Sequence, residues 1–409
     1  MCILFILNGC SGDKSLSKYP MIDVASNVLS NNYKKVYFSD LFSTIEVIPL
    51  ETKRECLVRS TFFSPVVTDS FIIMGGENIY VFDISGKFLN QIGQVGRGPG
   101  EYIYSNRFFL KHEQSNLYVE DSFNVLEYEI NGKFINSFRS IDVDGSRLSN
   151  YSYVEDNVFV GSLPYIGNNE YKYCLVDQNG SIIKCFPNYI FFNMDRLFGG
   201  TYNFALRPVR VDTMLYLKDF VNDTIYVLSN LKLRPAYVFD FGKYSFPVEQ
   251  LENLNNMQFL YDNTFLFSPR FAASSKYFFY ELRVPNPLSR PKGRLVFQPV
   301  LNQYRPDDRY IFGIFDIEQE TNILLDTDQY LQRGIINDIN GGLSFFPKYY
   351  AGNGVVVDIW QAEDMKEILT EEYFSSIEIK DKEAHQKLRE VLKNLDLEDN
   401  PVIVLAKLK

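Results

Sequence analysis

Apolar and polar positions alternate with a period of two along most of the chain, in short runs broken by Asp, Asn and Gly. That periodicity belongs to strands with one face buried, joined by tight turns. One phrase recurs: an alternating strand, an Asp/Asn-Gly turn, then a second strand opening with Lys or Ser. It reads IYVFDISGKFLNQIG at 79–93, VLEYEINGKFINSF at 125–138 and YCLVDQNGSIIKCF at 173–186. Gly86, Gly132 and Gly180 hold equivalent places, where a hairpin turn needs a positive φ that a Cβ makes costly. Further period-two segments precede each hairpin: Phe71 to Met74, Arg107 to Leu110 with Leu117 to Glu120, and Tyr151 to Val154 with Val158 to Gly161. Units of roughly 45 residues that each bury little alone predict stacked β-propeller blades rather than a sandwich.

The pattern continues less regularly. A fourth blade is predicted from Thr201 to Val209, Met214 to Leu217, Asp223 to Leu228 and Ala236 to Phe241. A fifth follows from Phe265 to Phe271, Lys276 to Val284, Arg294 to Phe297 and Arg309 to Ile317, interrupted by a Pro-rich loop from Pro285 to Pro291. The sixth draws on Gly334 to Phe346, Val355 to Trp360 and Pro401 to Leu408. Helical spacing marks insertions at Pro247 to Tyr261, Ala362 to Leu369 and Lys382 to Leu395. A strand near Thr44 to Leu50 would join the C-terminal blade and close the ring, removing the exposed edges of an open array. The expected fold is an all-β, six-bladed propeller of four-stranded antiparallel blades, with helical insertions in the C-terminal half.

Composition supports strands, with 16% aromatic residues among the 409. The formal net charge of −10 repels phosphate backbones, so nucleic acid is not an expected partner. At the N-terminus, an apolar run from Ile3 to Leu7 leads into Leu7-Asn8-Gly9-Cys10 and then polar residues. This resembles a bacterial lipoprotein signal, which implies cleavage before Cys10 and a lipid on its thiol. The short apolar stretch lacks a basic start, so a true start upstream of Met1 is expected. The expected organisation is a signal peptide over 1–9, a lipid-anchored tether over 10–35 and a propeller over 36–409. No later stretch reaches the ~18 apolar residues of a membrane span.

Cys174 and Cys185 flank the turn Asp177-Gln178-Asn179-Gly180. A two-residue loop would set them opposite each other, whereas a three-residue loop with a glycine bulge would shift the register by one. Free buried cysteines are therefore expected at 56, 174 and 185.

Four stretches, VYFSDLFSTIEVIPLET (36–52), GQVGRGPGEY (93–102), NDINGGLSFFP (337–347) and EDNPVIVLAKLK (398–409), resemble the six-bladed β-propeller lipoproteins of Bacteroidota. The resemblance implies the fold, export and a lipid anchor, and the expected place is the cell envelope, at the outer membrane, on either its periplasmic or its surface face. Its biochemical role is largely unassigned, so it carries no catalytic residues over.

Candidate chemistry is sparse. His112 and His385 are the two histidines, His385 on a charged helical stretch that reads as solvated. No nucleophile elbow, HExxH, phosphate loop or CxxC pair occurs, and no cofactor or metal is expected. GQVGRGPGEY reads as a blade-to-blade connection in which Arg97 pairs with Glu101, and these two are the candidate ligand-binding residues, Arg97 offering a fork to a carboxylate or phosphate. Asn337, Asp338 and Asn340 beside Gly341-Gly342 read as a hydrogen-bonded turn rather than a calcium loop. Phe345, Phe346, Tyr349, Tyr350 and Trp360 read as packing residues, with stacking on a sugar or peptide the functional alternative. The leading expectation is a non-catalytic module that binds a protein, peptide or glycan through blade loops. The alternative is a metal-assisted hydrolase or lyase, which requires buried Asp, Glu, Asn or His side chains converging at the channel mouth.

Overall fold

A computed structural model describes residues 18–409 except 59–64, 77, 104–106, 112–115, 122, 165–168, 193–205, 221, 256–258, 260, 261, 264, 285–294, 299–302, 307, 308 and 327–333. Cys10, His112 and the Pro285 to Pro291 loop lie outside the described residues.

The recurring phrase folds the same way three times. Gly86, Gly132 and Gly180 take φ of 87°, 93° and 83°. In each turn the glycine N–H donates back to the residue before the turn: Gly86 to Asp83 O at 2.9 Å, Gly132 to Glu129 O at 2.9 Å, Gly180 to Asp177 O at 3.0 Å. Each returning strand then skips one residue in its pairing, so that Leu89, Ile135 and Ile183 bulge outward. Such bulges bend an edge strand and raise its twist. A Cβ on Gly86 would lie 2.2 Å from Pro49 O, and one on Gly132 would lie 2.6 Å from Gln91 O. Those oxygens belong to the outer strands of the preceding blades. The glycines thus serve both the turn and the close seat of one blade against the next.

The bulge also corrects the expectation of free thiols. Cys174 and Cys185 form a disulfide. The glycine-bulged loop first pairs Val176 with Ile182. The extra residue Ile183 then restores the register, pairing Leu175 with Lys184 and Cys174 with Cys185. Two irregularities cancel, an outcome that weighing turn length alone does not reach. Cys56 is free and buried, as expected.

Six sheets stack in chain order around one axis. Blade 1 runs from Val66 to Ile92, blade 2 from Arg107 to Arg139, blade 3 from Ser149 to Pro187 and blade 4 from Val209 to Asp240. Blade 5 comprises Phe267–Ala273, Tyr277–Val284, Arg309–Asp316 and Thr321–Leu325. Blade 6 comprises Tyr349–Gly352, Val355–Trp360, Val402–Leu408 and, outermost, Phe42–Pro49. The N-terminal strand pairs with the C-terminal one from Phe42 with Leu408 to Pro49 with Val402, closing the ring as expected. Alternation distributes side chains between neighbouring seams. Leu117 and Val119 pack toward blade 1, and Tyr118 between them packs toward blade 3.

Blades 5 and 6 differ in detail from expectation. Leu295–Gln298 pairs with Gln303–Pro306 as a separate hairpin, and Thr321–Leu325 takes the outer place in the sheet instead. The inner strand of blade 6 is Tyr349–Gly352. The Gly334 to Phe346 segment forms only isolated bridges, Ile335 with Phe345 and Ile336 with Tyr37, because its apolar side chains fill the wedge between blades 5 and 6. Helices Ala362–Ile368, Glu371–Ser376 and Lys382–Asn394 pack into that same cluster through Met365, Phe374 and Leu388. His385, expected in solvent, is half-buried there. Its Nδ1 lies 2.8 Å from Asn340 O and its ring meets Phe374 edge-on at 4.9 Å.

The segment expected to be a tether is, over its described part, built into the propeller. Met21–Asp23 pairs in parallel with the outer strand of blade 4, and Tyr33–Lys34 with that of blade 5. Ile22 and Val24 are fully buried in the core. Its Met-Ile-Asp-Val run is too short for a period-two reading to separate it from a polar linker.

Candidate binding face

Connections between the second and third strands of each blade, and between successive blades, all emerge at one end of the strands. Those at the other end are tight turns such as Asp156-Asn157 and Asn353-Gly354, whereas this end carries the long segments 188–208, 241–266, 326–348 and 361–401. Any extended ligand site therefore belongs here, where loops vary on a rigid support.

Over blades 1 to 4 these loops are tied into one arc. The 93–106 connection meets blade 2 where Ile103 N–H donates to Asp121 Oδ1 at 3.3 Å. Ser140 N–H donates to Phe123 O at 2.8 Å, and the Arg147 guanidinium lies 4.5 Å from the Phe123 ring while pairing with Asp142 at 3.1 Å. Glu170 N–H donates to Asp144 Oδ2 at 3.2 Å, and Asn188 N–H to Glu170 O at 2.8 Å. The arc displays Arg97, Phe123, Tyr189 and Phe191, the rings 49%, 72% and 55% exposed in that order. Large aromatic side chains held open to water on hydrogen-bonded loops are platforms for stacking or for partner burial.

Arg97 is exposed as a ligand-binding residue must be, but it makes no ion pair with Glu101. The Glu101 carboxylate instead accepts from Gly98 N–H at 2.7 Å and Gln94 Nε2 at 2.6 Å. These hydrogen bonds, led by that from Gly98, hold its pKa below the ordinary carboxylate value. Backbone amides at short range outcompete a long, solvated side chain. Tyr102 anchors the far end of the loop, donating to Ile92 O at 2.9 Å in the core. Glu101 is thus a loop clamp and Arg97 the group presented.

A cation links the inner strands of blades 2 and 6 to blade 4. Arg207 enters from blade 4, donates to Phe108 O of blade 2 at 2.9 Å, and stacks 5.7 Å from the Phe108 ring and 5.4 Å from Tyr349 of blade 6. Nearby Glu120 accepts from the backbone of Asn150 and Tyr151 at 2.9 Å each and pairs with Arg107. Among the described residues no group of three His, Cys, Asp or Glu side chains converges in a way that could hold a metal.

A second ionic group lies inside the seam between blades 3 and 4. Lys172 Nζ stands 2.9 Å from Asp219 Oδ2, both side chains buried, and also donates to Leu163 O at 2.7 Å. Neither Asp219 oxygen receives a well-directed hydrogen bond. Lys218 donates to the carbonyls of Asp219 and Asn222. Burial lowers its pKa to about 8 and, in Asp223 close by, raises that of the carboxyl to about 6. The crevice beside Lys218 is too tight to admit water, so this group is structural.

Asn337, Asp338 and Asn340 form the expected hydrogen-bonded turn. Asn337 Nδ2 donates to Asn340 Oδ1 at 2.8 Å, and Asp338 pairs with Lys380 at 2.6 Å. Phe345, Phe346, Tyr350 and Trp360 are buried packing residues, while Tyr349 stacks on Arg207. The exposed aromatics were not singled out by sequence. In Asn188-Tyr189-Ile190-Phe191-Phe192, Ile190 and Phe192 pack into a small cluster with Phe246 and Phe267, leaving Tyr189 and Phe191 in water. Aromatics at both phases of one short alternation are the signal that could have found them.

These features define a six-bladed β-propeller with its long connections at one face. Its sequence matches the family model described as DUF4934, a domain of unknown function, over residues 19–407, and the chain belongs to that family. It is similar to a Bacteroides fragilis protein described as exported, at 19% identity and a TM-score of 0.68, covering 95% of this chain and 99% of that one. A member of the DUF4221 family from Bacteroides vulgatus aligns at 11% identity and a TM-score of 0.49, covering 90% of this chain and 97% of that one. Among curated proteins nothing matches.

Proposed function

We propose that this chain is a cell-envelope lipoprotein, anchored through Cys10, whose loop arc over blades 1 to 4 binds a protein, peptide or glycan without chemistry. The observation that carries this reading is the arc itself, with Arg97, Phe123, Tyr189 and Phe191 displayed on loops that hydrogen-bond to one another. Exposed rings of this size cost solvation unless a partner covers them. The guanidinium of Arg97 adds a planar donor for carboxylate or phosphate groups. Among the inner strands, the Arg207 guanidinium is held by Phe108 and Tyr349. Export agrees with the Cys174–Cys185 disulfide, since disulfides persist in oxidising compartments.

Glycan and peptide arrays probed with the lipid-free chain test the reading. Binding that falls about tenfold or more in Tyr189→Ala and Arg97→Ala, with unchanged melting, is the expected result. A ligand that both variants hold as tightly as the parent would place the site elsewhere.

A further inference from the structure

The outer rim carries a second surface, independent of the loop arc. Blades 4 and 5 each receive a fifth, parallel strand from the N-terminal segment, Met21–Asp23 and Tyr33–Lys34. Among the described residues blades 1, 2 and 3 receive none, and their fourth strands are the outermost. These three bare edges expose the large apolar side chains Leu89, Phe134, Ile135, Ile182 and Ile183. On blades 4 and 5 the covered fourth strands expose none among the described residues, although Met21 of the added strand is 40% exposed.

The three edges are not equally open. The blade 3 edge includes Lys184 and Pro187, a charge and a missing donor of the sort that blunts pairing. On blade 1, Asn90 and Gln91 turn their amides onto the carbonyls of Ile130 and Gly93. The blade 2 strand Phe134–Arg139 has no charge before Arg139, no proline, and four exposed residues in succession. An uncharged apolar edge of this kind is a template for another strand.

Beside that strand opens a cleft of about 140 Å³, lined by Tyr118, Glu127, Asn136 and Ser137 of blade 2 and by Gln178 and Asn179 at the tip of the blade 3 turn. Tyr118, Glu127 and Asn136 form one cross-strand row. Glu127 accepts from Asn116 Nδ2 at 2.6 Å and Tyr118 OH at 2.7 Å, both on Oε1. The side chains of Asn136, Gln178 and Asn179 join the Glu127 carboxylate in the lining, with Val125 and Phe138 as its apolar part, and the carboxylate suits the cleft to an ammonium group on an aliphatic stem.

We propose that the blade 2 edge binds an extended segment of a partner protein, which adds as a fifth strand beside Phe134–Arg139, lays an aliphatic side chain on Ile135 and places a lysine in the Glu127 cleft. The chain's own N-terminal segment sets the precedent, since the outer edges of blades 4 and 5 each take a parallel strand. Main-chain hydrogen bonds then supply affinity and the cleft supplies selectivity, the usual division in strand addition.

The test uses the full chain and short acetylated peptides of alternating Val and Thr, with either lysine or norleucine at the centre, titrated by calorimetry. The lysine peptide is expected to bind about tenfold tighter than the norleucine peptide. Glu127→Gln should abolish that preference while keeping norleucine-peptide binding, and Ile135→Lys should weaken both by about tenfold or more. A lysine peptide with methylated backbone nitrogens should not bind. Absence of binding by both peptides, or binding indifferent to Ile135→Lys, overturns the proposal. Self-association of the chain that Ile135→Lys abolishes would make the occupant a second copy and also overturn it.

Discussion

Blades 1 to 3 and blades 4 to 6 build the same sheet in contrasting ways. The first three repeat one hairpin, with a glycine at positive φ, a bulged aliphatic residue and a bare outer edge. The last three recruit outside help: a strand from the N-terminal segment on each of blades 4 and 5, the strand Phe42–Pro49 on blade 6, and helices in the wedge between blades 5 and 6. Regular repetition stabilises through identical seams and leaves surface free. On blades 4 and 5 the fourth strand is instead covered by a fifth. The seam between the halves is also distinctive, because blade 3 meets blade 4 through the buried Lys172–Asp219 pair as well as apolar packing.

The largest expected effect comes from breaking that seam. Lys172→Met would leave the Asp219 carboxylate buried without its counter-ion, at a cost of about 3–5 kcal/mol in denaturant unfolding. A loss near zero would mean that apolar contacts alone join the two halves.

A pH series sharpens the same boundary. Burial raises the Asp223 pKa from 3.8 to about 6, against the attraction of Lys218 and with Ser245 Oγ donating at 3.1 Å; Asp240 adds repulsion. A raised carboxyl value means that the folded state favours the protonated form. The associated stability is present below pH 3.8 and is lost as pH rises through about 6. Relative to Asp223→Asn, the parent should therefore lose up to about 3 kcal/mol between pH 4 and pH 7. A difference that stays flat across melts in that range would show the carboxyl to be solvated in the folded chain.

How much was legible follows the same division. The three regular blades could be read almost strand by strand, because period two and the turn glycines agree locally with the fold, and only the two-residue inner strand Val66–Val67 was too short to show. Closure by the strand near Thr44 to Leu50 was also legible, since a ring must pair its ends. The N-terminal segment was not, because a three-residue parallel strand shows no periodicity and its partners lie more than two hundred residues away, Met21 opposite Val238. The disulfide was missed because two bulges cancel in register, and Leu295–Gln298 was assigned to a blade because pairing partners are not visible in a strand pattern. At the proposed site, Arg97 was singled out through its glycine-rich loop, whereas Tyr189 and Phe191 were hidden in a chain where most aromatics are core.

Hydrogen exchange on the intact chain tests the contrast most directly. Amides of Met21–Asp23 and of their partners Val238 to Asp240 should be protected as strongly as the ring-closing pair of Phe42–Pro49 and Val402–Leu408, while the blade 2 edge Phe134–Arg139 exchanges faster. Rapid exchange throughout residues 18–35 would make the segment a free tether after all, and would contradict the account of how blades 4 and 5 are covered.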